Sequence, residues 1–434
     1  MLDIRFIREN AEQVQEKAKQ KGYNVDIRKL LELDGQRRQI QADIEVVRGE
    51  RNKLAEAAKG QAPPADAVEK GKHLKQHLTD CEDRLKPLEE EFDKLLRGVP
   101  NVFPDDTPLG GEEANAEVKK WGDTADKGFE VKDHLAWGEA GGLIDFERGA
   151  KVAGNKFYFT RGTLVELELA VAQLGMELAK KHGFTPMMVP HLVNTRTLEG
   201  AGFSAKGEER QIYKVEDEDL NLIATAEIPL TGYHADEILN EKDLPLLYAG
   251  LSPAYRVEGG AYGKHNRGLF RTHQFNKLEL YVFCKPEDSE DWHQKMVALE
   301  EEFCQTLGIP YRIVRIASRD LGAPAYKKFD VEYYSPVDKT YRELMSCSNV
   351  TDYQARRLQI RYRHFVPAKE TSGGVQPELA VKAGSKVDCV HSLNGTLAAM
   401  SRIPIAIIEN FQTSDGKVNV PKALQPYMHD QTII

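Results

Sequence analysis

Several features that would place a chain at once are missing here. In 434 residues there is no run of about eighteen apolar side chains, so no segment reads as a membrane span. The opening MLDIRFIREN is charged and lacks the apolar stretch of a signal peptide, which sets the expectation of a cytoplasmic protein. Cysteine is scarce and scattered, with five residues (Cys81, Cys284, Cys304, Cys347 and Cys389) and no C-x-x-C pair. That usage argues against a disulfide framework and a structural zinc site, and for a reducing compartment. Neither G-x-x-x-x-G-K-[ST] nor a strand followed by G-x-G-x-x-G occurs, so any purine-nucleotide site must be of another kind. Internal repeats are absent as well, which removes solenoids and propellers. A formal net charge of −9 speaks against non-specific coating of nucleic acid but leaves room for a local basic surface.

What is present divides near residue 100. Residues 3–21 read as one short helix, with Asp3 as N-cap, Ile4, Ile7, Ala11 and Val14 on one face, and Gly22 as the stop. From Leu30 the apolar residues Leu30, Leu33, Ile40, Ile44, Val47 and Leu54 alternate by three and four, with Arg37 and Arg51 at the remaining seam positions. KGQAPPADA (59–67) interrupts the pattern. It resumes as Leu74, Leu78, Cys81, Leu85, Leu88, Phe92 and Leu95. Two such segments joined by a short connection form a long antiparallel helical hairpin, each arm reaching roughly 40–50 Å at the helical rise. Pro87 requires a bend in the second arm or an earlier boundary. By itself this coiled-coil arm fits a dimerisation element better than an RNA-binding one, because Arg28, Lys29, Arg38, Arg48, Lys53 and Lys59 all have acidic neighbours.

GVPNVFPDDTPLGG (98–111) has three prolines, three glycines and no periodicity. The expected organisation is therefore an N-terminal domain over 1–100, a linker over 101–112 and a second domain over 113–434. In the second domain, helical segments at Leu164–Lys181 and Glu287–Leu307 mix with strands at LELYVF (278–283), KFDVEYYSP and TYRELMSCSNV. This texture predicts an α+β fold, a mostly antiparallel sheet flanked by helices.

The stretch YRVEGGAYGKHNRGLFRTHQF (255–275) carries the chemistry. Arg256 and Arg271 bracket a glycine-rich basic loop with Lys264, His265 and Arg267. Converging arginines suit a polyphosphate, Phe275 suits stacking on a purine, and Glu258 suits an exocyclic amine. A solvated surface hairpin is the plain alternative.

Arg256-x-Glu258, the loop, then Arg271-x-x-x-Phe275 resembles motif 2 of the class II aminoacyl-tRNA synthetases. FTPMMVPHLVN (184–194), with Pro190, resembles motif 1, and NGTLAAMSR, ending at Arg402, resembles motif 3. TAEIPLT (225–231), HQFNKLEL (273–280), RELMSCSN (342–349) and DYQARR (352–357) are similar to the seryl-tRNA synthetases of bacterial type, as are MLDIRFIREN, LLELDGQRRQ, RGERNKL and KDHLAWGEAGGLIDFERGAKVAG (132–154). The resemblance runs colinearly from residue 1 to about 420.

That resemblance implies a homodimer that activates L-serine with ATP and passes the seryl group to tRNA(Ser), and also to tRNA(Sec) where selenocysteine is made. It makes the hairpin a tRNA-binding arm. It places Arg256 on the α-phosphate of ATP, Glu258 and Thr272 at adenine, Phe275 stacked on the base, and Arg402 at the γ-phosphate. Glu343 and Ser346 become ligands of Mg²⁺. Thr225, Glu227, Glu279, Asn394 and Thr396 form the serine pocket. Each has a duller reading alone: Glu227 and Glu279 as paired strand carboxylates, Thr225 as a strand residue, Thr396 as a helix N-cap, Cys347 as a buried thiol and His273 as a packed histidine. The sequence departs from the family at Ala226, where serine is usual, at Ser401, where glycine is favoured, and in the long segment 367–388. Two rivals remain: a paralogue that charges a carrier protein, and a non-catalytic coiled-coil regulator.

Overall fold

The computed structural model describes residues 1–57, 64–204, 212–258, 268–365 and 386–434. They form two compact units, Met1–Val102 and Phe103–Ile434.

The first unit is helical. The segment expected as one helix over 3–21 is two, α1 (Ile4–Glu9) and α2 (Ala11–Gln20). Asp3 caps α1 as expected, accepting from the Arg5 N–H at 2.7 Å. The break comes from Asn10, whose side-chain amide donates to the Phe6 carbonyl at 2.9 Å while its backbone leaves the helical region at φ −130°. Gly22 (φ +86°) then ends α2. The hairpin arms are α3 (Ile27–Ala57, 31 residues) and α4 (Ala65–Gly98, 34 residues). They run antiparallel: Leu30 and Leu33 pack with Phe92 and Leu96, and Ile40 and Ile44 with Cys81. Arg37, at a seam position, lays its guanidinium 4.2 Å from the centre of the Phe92 ring and bonds Asp34. Pro87 lies inside α4, which continues through it.

The second unit is built on an eight-stranded sheet. Its strands are β1 (Ala116–Trp121), β2 (Thr185–Met188), β3 (Leu246–Tyr255), β4 (Gln274–Cys284), β5 (Tyr311–Arg315), β6 (Lys327–Ser335), β7 (Thr340–Thr351) and β8 (His391–Ala399). Their spatial order is β1-β5-β6-β7-β8-β4-β3-β2, antiparallel throughout except for the β2–β3 pair. One face is covered by α5 (Thr163–Lys181) and, further along, α7 (Ser289–Leu307). The approach is close: a Cβ on Gly175 would stand 2.9 Å from Leu278. Between them in sequence, the short helix α6 (Glu227–Gly232) packs against the opposite face, where Ala226, Ile228 and Leu230 join Tyr281 and Phe283 in a second core. Helix α8 (Arg402–Asn410) follows β8 directly. Phe103 sits in a small cluster with Val314, Ile316 and Leu321, so the proline-rich stretch docks on the second unit as it begins. Among the described residues no helix is long and apolar enough to cross a membrane.

Candidate active site

Cross-strand pairing decides which side chains share a face. Glu279 on β4 stands opposite Thr396 on β8 and Gly250 on β3, and Asn394 stands opposite Tyr281. Ser348 is opposite Asn394, which puts Ser346 on the same surface. Glu343 lies three residues before Ser346, a spacing that a regular strand would send to the other face. A bulge reverses this. Val331 pairs with Met345 but Glu332 with Glu343, so Leu344 is left over and both Glu343 and Ser346 join Asp330 and Glu332 on one side. Glu343, Ser346, Asn394, Thr396, Glu279 and Phe275 thus line the face turned away from α5 and α7.

The carboxylate pocket is assembled by α6. A Cβ on Gly250 would meet Leu230 Cδ1 at 2.9 Å and Ala226 Cβ at 3.1 Å, so the glycine lets the start of α6 approach the sheet beside Glu279. Ala226 is fully buried in that contact, which accounts for a small apolar residue there. Thr225 is no strand residue: its hydroxyl accepts from the Glu227 N–H at 3.2 Å at the opening of α6. Glu227 is buried, and its Oε1 accepts from Gln354 Nε2 at 2.7 Å and Asn394 Nδ2 at 3.0 Å. Tyr281 and Ser392 donate to Gln354 Oε1, fixing which way that amide points. Burial and then the facing Glu279 push the Glu227 carboxyl up to about 7. Glu279 is ion-paired with Lys277 and accepts from the Thr396 hydroxyl at 3.4 Å. Thr396 therefore sits within β8 and caps no helix.

Beside this pocket lies a cationic region. The Arg256 guanidinium stands 5.2 Å from the centre of the Phe275 ring, and Arg402 bonds Glu343 at 3.1 Å. Burial, and then the nearby Arg402, lower the Arg256 pKa, and the carboxylates of Glu258, Glu343 and Glu279 offset this only in part. Partial desolvation alone would raise the half-exposed Glu343, but Arg402, Lys328 and Arg256 outweigh it and hold the carboxyl below the usual carboxylate range. Glu258 is ion-paired with Arg271 and has φ +47°, a conformation rare for a non-glycine residue. Thr272 is buried and donates to the Gln274 carbonyl at 3.1 Å. Ser401 takes φ −85°, so a residue with a side chain fits where the family favours glycine. Cys347 is buried, and burial pushes its thiol well up, away from nucleophile duty. His273 is stacked on Phe157 and bonded to Tyr213 and the Arg256 carbonyl. Lys264, His265 and Arg267, and all but the last three residues of 367–388, lie outside the described residues, as does Lys59 in the arm.

Comparison with known proteins decides the family. Residues 1–103 match the model of the seryl-tRNA synthetase N-terminal domain, and residues 213–372 that of the tRNA synthetase class II core domain (G, H, P, S and T). The serine–tRNA ligase of Dictyoglomus turgidum is 43% identical over 99% of this chain and 98% of its own. The chain belongs to the seryl-tRNA synthetase family. The serine–tRNA ligase of Rubrobacter xylanophilus is likewise 43% identical, over 100% of this chain and 99% of its own. Among solved structures, the seryl-tRNA synthetase of Pyrococcus horikoshii complexed with ATP superposes with a TM-score of 0.87 at 37% identity, covering 100% of this chain and 99% of that one. The cytoplasmic serine–tRNA ligase of Naegleria fowleri in complex with AMP gives 0.84 at 31%, over 100% and 98%. The activity is that of a serine–tRNA ligase, and full-length agreement of this kind displaces the carrier-ligase and regulator readings.

Two site residues escaped the sequence reading. Lys277 was legible in principle, because it shares a face with Glu279 two residues on. Gln354 lies in the DYQARR phrase, but its partner was not legible: it meets Glu227 across 127 positions of chain, and nothing local marks that contact.

Proposed function

We propose that this chain activates serine in the Glu227–Glu279 pocket with ATP laid along the same sheet face toward Arg402. Thr225 and Glu227 hold the substrate ammonium. Glu279 and Thr396 read its hydroxyl, with Asn394 fixing the Glu227 carboxylate. Arg256 grips the α-phosphate, Phe275 stacks on adenine, Glu258 and Thr272 contact its edge, and Arg402 turns from Glu343 to the γ-phosphate. The serine carboxylate then attacks the α-phosphorus and pyrophosphate leaves, giving seryl-adenylate; a hydroxyl at the 3′ end of tRNA(Ser) takes the seryl group and AMP is released. No side chain becomes a nucleophile; the residues orient the reactants and offset charge. The observation that carries this is the single sheet face on which Glu279, Thr396 and Asn394 lie beside Arg256 and Arg402, with a bulge in β7 turning Glu343 onto the same face.

Glu343 and Ser346 suit Mg²⁺, since a half-exposed carboxylate held ionised, with a hydroxyl on the same face, leaves room for waters and phosphate oxygens. The ion would neutralise phosphate charge. The hairpin of α3 and α4 is the tRNA-binding arm, and tRNA(Sec) is a further substrate where it exists. A homodimer is favoured by exposed apolar side chains at Leu169, Met188 and Leu192, in α5 and the segment like motif 1. The five free cysteines agree with a cytoplasmic location.

The test is serine-dependent ATP–pyrophosphate exchange, with alanine, threonine and cysteine as controls, followed by charging of tRNA(Ser). Exchange with serine that proceeds to charged tRNA is expected. Loss of exchange with all four amino acids would defeat the assignment of Arg256, Glu279 and Glu343.

A further inference from the structure

Between Gly268 and Phe270 the chain makes a single 3-10 turn just before Arg271 and Thr272. That turn is held from far away in sequence. His134, the first residue of the helix His134–Ala140, is buried beneath it, and its Nε2 accepts the Leu269 N–H at 3.1 Å. An imidazole nitrogen that accepts carries no proton, so the hydrogen is on Nδ1, which faces Glu409 Oε1 at 3.5 Å. Glu409 lies in α8, the helix that begins with Arg402. Its other oxygen accepts from Ser335 Oγ at 2.7 Å and the Tyr333 hydroxyl at 3.0 Å, so it is a fixed acceptor.

The packing around these bonds is equally specific. Phe270 meets the His134 ring edge-on at 5.2 Å, and the Arg342 guanidinium lies 4.4 Å from the centre of the Phe270 ring. Gly268 has φ +63°, and a Cβ there would fall 2.2 Å from His134 Nε2. The glycine is thus required twice, for its backbone and for the approach of the imidazole.

We propose that His134 is a positioning residue for ATP: by joining the Leu269 N–H to Glu409 it ties the turn that leads into Arg271, Thr272 and Phe275 to the helix of Arg402. The two ends of the nucleotide site, base and terminal phosphate, are then held in one register by a bond that neither makes itself. This rests on the ATP placement proposed above. Removing the acceptor leaves the Leu269 N–H buried and unpaired, and the turn shifts to find another partner.

The experiment is ATP–pyrophosphate exchange on the full chain for wild type, His134→Ala, His134→Gln and Gly268→Ala, varying ATP and serine separately. His134→Ala is expected to raise KM for ATP about tenfold, the cost of one buried hydrogen bond, with KM for serine unchanged. His134→Gln offers an amide oxygen to Leu269 and should recover most of the loss. Gly268→Ala, which leaves His134 in place but drives the turn from it, should reproduce the ATP-selective defect. Equal changes in both KM values, or none, would overturn the proposal. Should His134→Ala fail to fold, Gly268→Ala decides on the same criterion. Wild type without serine-dependent exchange would instead defeat the ATP placement itself, a separate result.

Discussion

Glu227 and Glu279 face one another in a pocket whose substrate is a cation with a hydroxyl, and their surroundings separate their roles. Glu279 already has a cation, Lys277, and a hydroxyl partner, Thr396. Glu227 has two amide donors and, among the described residues, no cation bonded to it, and burial leaves it titrating at about 7. A serine ammonium is best held by the ionised form, so kcat/KM for serine should rise with pH through about 7, where Glu227 titrates. The same shift has the opposite sign for stability. A carboxyl raised in the folded state favours folding fully below its unfolded value near 4.3, and that contribution is lost as pH rises through the folded value. Glu227→Gln should abolish the pH limb and lower kcat/KM for serine roughly 10- to 100-fold, the range of a charged hydrogen bond. Steady-state exchange across pH 6–9, as an approximate window, checks both. Glu279→Ala should act on selectivity instead, cutting the preference for serine over alanine by about 100-fold or more as the hydroxyl loses its reader. Parallel kinetics with the two amino acids measure it.

At the scale of elements, the bonds that matter join segments distant in sequence. Asp34 of α3 is buried and receives Arg8 of α1 at 2.6 Å and 3.1 Å, with Arg37 at 3.1 Å. Burial alone would raise its pKa, but Arg8 and Arg37 hold it below the usual carboxylate range. Its stabilisation is therefore complete above the unfolded value near 3.9 and is lost as pH falls through the folded one. Asp34→Ala should destabilise the helical unit by about 3 kcal/mol, because it strands two guanidinium groups. Urea unfolding followed by circular dichroism at neutral and acid pH reads both effects. Gly250→Ala, by contrast, should disturb α6: the added methyl meets Leu230 and Ala226, overpacking costs about 1–3 kcal/mol, and KM for serine should rise as Glu227 is displaced. The heptad residues of the hairpin were legible because period alone fixes a helix seam. Asn10, which divides α1 from α2, was not, because an asparagine on a helix surface and one that breaks it look the same in sequence.

At the scale of the molecule, the two units have separable duties under the proposed function. Shortening the hairpin, with a tight turn replacing the distal halves of α3 and α4, should leave serine-dependent pyrophosphate exchange intact. Charging of tRNA(Ser) should fall by roughly 100-fold or more, as expected when a set of phosphate contacts is lost. Paired exchange and charging assays distinguish this from a dimerisation role, which would change the sedimentation of the chain and exchange together.

What the sequence determined by itself was everything with a short range: the seam of the hairpin, the flanking helices, the strands, and the motif residues that carry the family likeness. Helix and strand periods and the chemistry of individual side chains are local properties, and they survive translation into a string. What only the tertiary structure decided was which of those side chains face each other. Glu343 and Ser346 share a surface only because Leu344 is bulged out, and Glu279 meets Thr396 beside a bulge in β8. Gln354 reaches Glu227, and His134 reaches Leu269 and Glu409, across more than a hundred residues. Register and bulges are set by the competition of whole strands for partners, a long-range balance that no local pattern records.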